Sequence, residues 1–240
     1  MNYSNDFIRL IKDTEKEKDF IGFGNPNAKI LFVGKECALD LNNPSDKDVY
    51  ERTNLPNWTH WNNNVNNLSI TPDTVKKWAE TGEFNPLFPY KNDKLPLGNC
   101  TWRNYQKIIN QLYPEATSDK TTFHQYSFLT EFNSMVSKYS KHTTAVEESI
   151  ARRTEHVLSK AFFRQFPVVV VGCGHYVPQY HIDLENIFDQ KWVEPTINLK
   201  KNEWINIHKK GGRLLIHTRQ LSMCSDELLQ TIVKYSKEYL

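Results

Sequence analysis

The chain has 240 residues, a formal net charge of +2, 39% hydrophobic and 24% charged residues. That length buries roughly 70–75% of its unfolded surface without staples, and the composition excludes global disorder. No apolar run approaches a bilayer span, so no membrane partner is expected, whereas a charge this close to neutral neither demands nor excludes nucleic acid.

The N-terminal stretch MNYSNDFIRLIKD carries acids and no long apolar core, so it does not read as a signal peptide. A cytoplasmic protein with reduced thiols is expected. Phe7, Leu10 and Ile11 make one face of a first helix. Ala28–Gly34 (AKILFVG) reads as a buried strand. Gly22 and Gly24 precede this strand instead of following it, so they are no dinucleotide fingerprint. Residues 40–70 are polar, with seven Asn between Asn54 and Asn67, and read as a long loop, functional or mobile, with a plain solvated loop as the bland alternative. Thr71-Pro72-Asp73 starts a helix, with Thr71 as N-cap. A further helix begins near residue 101, its stripe formed by Trp102, Tyr105, Ile108, Ile109 and Leu112.

Gln125–Thr130 is the second buried strand. Thr144 with Glu147 makes a capping-box pattern before a long helix reaching about Gln165. Arg152, Arg153, Lys160 and Arg164 on that helix read as a solvated basic face. Pro167–Gly172 and Arg213–Thr218 are the third and fourth strands, and a last helix runs from Asp226. Between them, residues 191–209 read as an antiparallel pair beside the main sheet, with Pro195 arguing for its edge. Strand alternating with helix implies a single domain over residues 1–240. Its fold is a three-layer α/β/α sandwich around a four-stranded, mainly parallel central sheet.

Ligands of such sheets sit beyond the carboxyl ends of the strands. Four segments lie there: Gly34-Lys35-Glu36-Cys37-Ala38, Thr130-Glu131-Phe132-Asn133-Ser134, Gly172-Cys173-Gly174-His175, and His217-Thr218-Arg219-Gln220-Leu221-Ser222. They supply a carboxylate, an amide, backbone N–H groups and an imidazole, a set that can recognise a polar heterocycle.

These segments resemble the uracil-DNA glycosylase superfamily. Gly24-Asn25-Pro26-Asn27-Ala28 before the first strand is similar to the family's first motif. Arg103–Ile109 resembles the helix after its proline-rich loop. The VVVVG strand with Gly174-His175-Tyr176 resembles its third strand and turn, and His217–Ser222 its closing H-P-S-P-L-S. The resemblance spans residues 20–240. It implies that a target base is flipped out of DNA and its N-glycosidic bond hydrolysed. Glu36 would position the water and support the sugar cation, and His217 would donate to the leaving base. Asn133 would read the base and Phe88 would stack on it, while Cys37 and Ala38 stand where the family shapes the pocket. Gly172, Gly174, Arg219 and Ser222 would hold phosphates, and Leu221 would wedge into the gap left by the flipped nucleotide. No iron–sulfur cluster, metal or organic cofactor is implied, and a monomer that binds DNA is expected.

The chain also departs from the family. Cys37 replaces a proline, Ala38 an aromatic, and Thr218-Arg219 a Pro-Ser pair. These changes motivate a competing reading, a nucleic-acid or nucleotide binding module that kept the fold and lost catalysis. Cys37 beside a strand-end histidine raises a thiol nucleophile as a third.

Overall fold

A computed structural model describes residues 3–66, 101–116, 121–140 and 142–240. The Thr71-Pro72-Asp73 helix start and Phe88 lie outside these residues. Seven strands form one sheet: β1 (Phe23–Gly24), β2 (Ile30–Gly34), β3 (Ser127–Glu131), β4 (Val168–Gly172), β5 (Trp192–Asn198), β6 (Trp204–Lys210) and β7 (Arg213–Thr218). Their spatial order is β1-β3-β2-β4-β7-β6-β5. Pairs β2–β3, β2–β4 and β4–β7 are parallel. Pairs β1–β3, β6–β7 and β5–β6 are antiparallel. The α/β class therefore holds, but the four-stranded sheet is corrected to a mixed sheet of seven. The hairpin over residues 191–209 is not separate, because β6 pairs along β7 and extends the sheet. Pro195 lies on β5, the edge strand, where a missing N–H breaks no ladder.

The helices are α1 (Asn5–Asp13), α2 (Pro44–Arg52), α3 (Asn57–Asn66), α4 (Thr101–Leu112), α5 (Phe123–Tyr126), α6 (Thr144–Arg153), α7 (Ala161–Arg164), α8 (Tyr176–Gln179), α9 (Leu184–Phe188) and α10 (Asp226–Ser236). Alternation along the strands sends side chains to two cores. Leu31, Val33, Phe128, Val169, Val171 and Leu215 pack with α1, α3, α6 and α7. Ile30, Phe32, Leu129, Val168, Val170 and Ile216 pack under α4 and α10. Among the described residues no helix is long and apolar enough to cross a membrane.

Three local expectations are corrected. Residues 40–66 hold two helices, not one loop. Asn43 caps α2 by accepting from the Ser45 and Asp46 N–H groups, and Pro44 opens it. Helix α3 buries Trp58, Trp61 and Val65 on one face. Its Asn57 is buried because it serves the backbone before β1: Oδ1 accepts the Ile21 N–H at 3.0 Å and Nδ2 donates to Gly22 O at 3.0 Å. The second strand starts at Ser127, since Gln125 and Tyr126 belong to the short helix α5. The helix expected to reach Gln165 is capped by Thr143, not Thr144, and passes into a π-turn at Thr154–Leu158.

Gly22 shows how tightly this N-terminal stretch is packed. Its φ is +137°, and an added Cβ would lie 2.1 Å from Leu129 O. Its carbonyl also accepts the Trp61 indole N–H at 2.7 Å. Gly22→Ala must therefore move backbone as well as adopt a strained φ. A loss of about 3 kcal/mol is expected in urea unfolding; a midpoint shift worth under about 0.5 kcal/mol would contradict this packing.

Candidate active site

The sheet reverses its winding between β2 and β4: the chain leaves β2 toward β3 on one side, then returns to β4 on the other. Open α/β sheets bind ligands at such a switch point. Here the residues after β2 meet those after β4. The Tyr176 hydroxyl donates to Glu36 Oε2, and the Ser140 hydroxyl donates to Oε1 at 2.6 Å. Lys35 is buried, with Nζ 5.2 Å from the centre of the Tyr176 ring. Burial lowers the Lys35 pKa, against the pull of Glu36. Burial and the Glu36 carboxylate raise that of Tyr176, keeping the phenol protonated as a donor.

Beside this point opens a cleft of 1040 Å³. Lys35, Gly174, His175, His217 and Arg219 line it from the strand ends, and Trp204, Asn206 and His208 from β6. His217 is buried edge-on to Trp204, their ring centres 4.8 Å apart. Its Nε2 lies 3.2 Å from Gly174 O. A carbonyl only accepts, so Nε2 carries the proton. Burial pushes the His217 pKa down to about 4, so the ring is neutral at physiological pH. Arg219 lies 3.7 Å from Glu203 Oε1, and Glu203 is itself buried and accepts the Ser225 N–H at 2.9 Å.

The structure brings Glu36, His217, Gly174, Arg219 and Ser222 to this end of the sheet, but only the last four line the cleft. Lys35, one residue before Glu36, is the one that reaches it. Leu221 is 0% exposed and packs in the core beneath α4. A wedge must be exposed, so the structure argues against that role. Gly172 is buried too: a Cβ there would lie 3.3 Å from Leu221 Cγ, which makes it a packing glycine and not a phosphate contact. Asn133 is also buried, with Oδ1 accepting from the Ser149 hydroxyl at 2.8 Å and the Met135 N–H at 3.0 Å. That amide braces the turn after β3 and does not line the cleft. Cys37 is half-buried and Ala38 exposed. Burial, with Glu131, Asp46 and Glu36 nearby, pushes the Cys37 thiol far up, which removes the thiolate that a nucleophile needs.

Tyr176, Ser140 and Trp204 were not legible as site residues. Tyr176 had only its place in the turn after β4 as a signal. Trp204 had the alternation Trp204-Ile205-Asn206-Ile207-His208, which turns an aromatic-polar face outward.

Among the described residues no cluster of three or more His, Cys, Asp or Glu could hold a metal ion. No family model and no curated protein matches the chain.

Proposed function

We propose that the chain is a divergent relative of the uracil-DNA glycosylases and hydrolyses the N-glycosidic bond of uracil or a related base in DNA. One observation carries this reading. A neutral imidazole with its proton on Nε2 lines the cleft, and a carboxylate stands at the adjoining switch point. In the reaction the bond between the sugar C1′ and the base nitrogen breaks, and its electron pair leaves with the base. A base carbonyl replaces Gly174 O as acceptor of the His217 Nε2–H, which stabilises the charge developing on the leaving group. Glu36 faces the sugar cation and takes the proton of the water that attacks C1′. The Tyr176 and Ser140 hydroxyls hold the carboxylate in place while leaving lone pairs free, since a carboxylate accepts about four hydrogen bonds.

The test is base release from oligonucleotides carrying uracil, hypoxanthine, xanthine or mismatched thymine. Glu36→Gln is expected to lower the rate by about 10²–10⁴-fold without unfolding the protein. Full activity in that variant would remove Glu36 from the mechanism.

A second reading has its own support. Both Glu36 oxygens are engaged by hydroxyls, and the side chain stands outside the cleft lining. A binding module with the same fold would look like this. It predicts salt-dependent DNA binding and no base release, and enzyme-dependent release of any free base would overturn it.

A further inference from the structure

The cleft is larger than one base requires. Pockets that bury a whole drug-sized ligand run to about 300–1,000 Å³, and this one holds 1040 Å³. Besides the strand ends, the lining includes Trp192, Thr196 and Asn198 of β5, Trp204 and Asn206 of β6, and residues from the segment 177–185. Thr196 donates to Asn206 Oδ1 at 2.7 Å, which orients that amide. Trp192 is 44% exposed. Its backbone is pinned, because its N–H donates to Glu185 Oε1 at 2.8 Å while Lys191 holds the other oxygen at 2.7 Å. Among the described residues two carboxylates lie in the lining: the pairing with Lys191 offsets the charge of Glu185, and Asp183 accepts the Asn186 N–H at 3.0 Å. Indole surface beside fixed side-chain amides suits a base that is stacked on one side and hydrogen-bonded at its edge.

We propose that this face of β5 and β6 is a second base-binding subsite. It takes the nucleotide flanking the one held at His217, in a single strand whose bases are free to stack on Trp192. The proposal rests on the nucleic-acid reading above and extends it to substrate class: single-stranded DNA engaged over at least two nucleotides. Arg219 and Lys35, both in the lining at the strand ends, are the cations available to the phosphates of such a strand.

The experiment is fluorescence anisotropy of a 5′-labelled oligothymidylate of about eight residues with one central uracil, a length within the site size of single-strand binders. Trp192→Ala is expected to weaken binding about tenfold or more, and Trp192→Phe to restore most of it. Val193→Ala is the control, since Val193 is exposed on the same strand but does not line the cleft; it is expected to bind as wild type does. Annealing the complementary strand is expected to weaken binding. Equal affinity of wild type and Trp192→Ala overturns the subsite, and so does failure of the wild type to bind the single strand. Equal affinity for duplex and single strand overturns the strand preference. Base release from the same oligonucleotide is read separately. If none occurs while Trp192→Ala still weakens binding, the subsite stands and hydrolysis fails.

Discussion

Arg153→Met is expected to cost about 3–5 kcal/mol of stability, the range for removing one partner from a buried ionic network. Arg153 is 0% exposed. Its Nη1–H donates to Phe20 O, its Nη2–H to Thr130 Oγ1 at 2.8 Å and its Nε–H to Glu131 O at 2.5 Å. The guanidinium also sits 5.4 Å from the Phe20 ring centre and 3.9 Å from Asp19. It therefore ties the segment before β1 to the carboxyl end of β3, directly behind the candidate site. Methionine fills the space but leaves these acceptors unpaired. It also leaves the Glu131 carboxyl without its countercharge. Burial raises that carboxyl to about 8, against the pull of Arg153. A carboxyl raised in the folded state binds more protons there than in the unfolded chain. Its contribution to stability is thus present at low pH and lost as pH rises through about 8. Without Arg153 the carboxyl must stay protonated to higher pH. The deficit of Arg153→Met against wild type should then be larger at pH 9 than at pH 6, as read in urea titrations. An equal deficit at both would mean that Arg153 acts only through its hydrogen bonds to carbonyls and hydroxyl.

The same residue shows where sequence reading ends. Arg152 and Arg153 stand at the end of a polar helix, and a solvated basic face is the economical inference. Arg152 fits it only in part: it pairs with the partly exposed Glu17 at 3.3 Å, but also with the buried Asp19 at 3.0 Å. Arg153 points the other way, because the backbone acceptors at Phe20 and Glu131 converge on it from 133 and 22 residues away. No local pattern encodes that convergence. The four strands that carry the parallel ladder were legible because buried strands are runs of β-branched and aromatic residues. The helices at 44–66 were not: α2 buries no residue and so carries no apolar stripe, and the buried positions of α3 are filled partly by Asn57, His60 and Asn64, whose burial follows from partners elsewhere in the fold or along the helix. For the site, chain position at strand ends placed Glu36 and His217 correctly at one end of the sheet. Motif order could not show that Leu221 and Asn133 turn inward, since facing is decided by the packing of α4 and α6 against those turns.

His217→Ala is expected to lower base release by about 10²–10³-fold, the cost of removing one preorganised donor to a developing oxyanion; His217→Gln keeps an amide N–H donor that does not titrate. The direction of its acid sensitivity follows from burial. The ring packs against Trp204 and donates to Gly174 O, and its pKa falls to about 4. A neutral histidine donates without first having to lose or gain a proton. Catalysis should therefore show no His217 titration between pH 5 and 9, and an inflection near pH 6.5 that vanishes in His217→Gln would contradict the neutral-donor role. Stability carries the complementary signature. The unfolded chain binds a proton at the ordinary histidine pKa near 6.5, the folded one only near 4. Stability owed to this residue is thus full above pH 6.5 and drains as pH falls toward 4, by up to about 3 kcal/mol. His60 and His208, also shifted down by burial, add to the same acid loss in every variant. The informative quantity is accordingly the difference: on going from pH 7 to pH 4.5, His217→Gln should lose about 2 kcal/mol less than wild type. Equal losses would mean that the ring titrates in the folded protein as it does in the unfolded chain, near 6.5, so that burial does not hold it neutral below that pH.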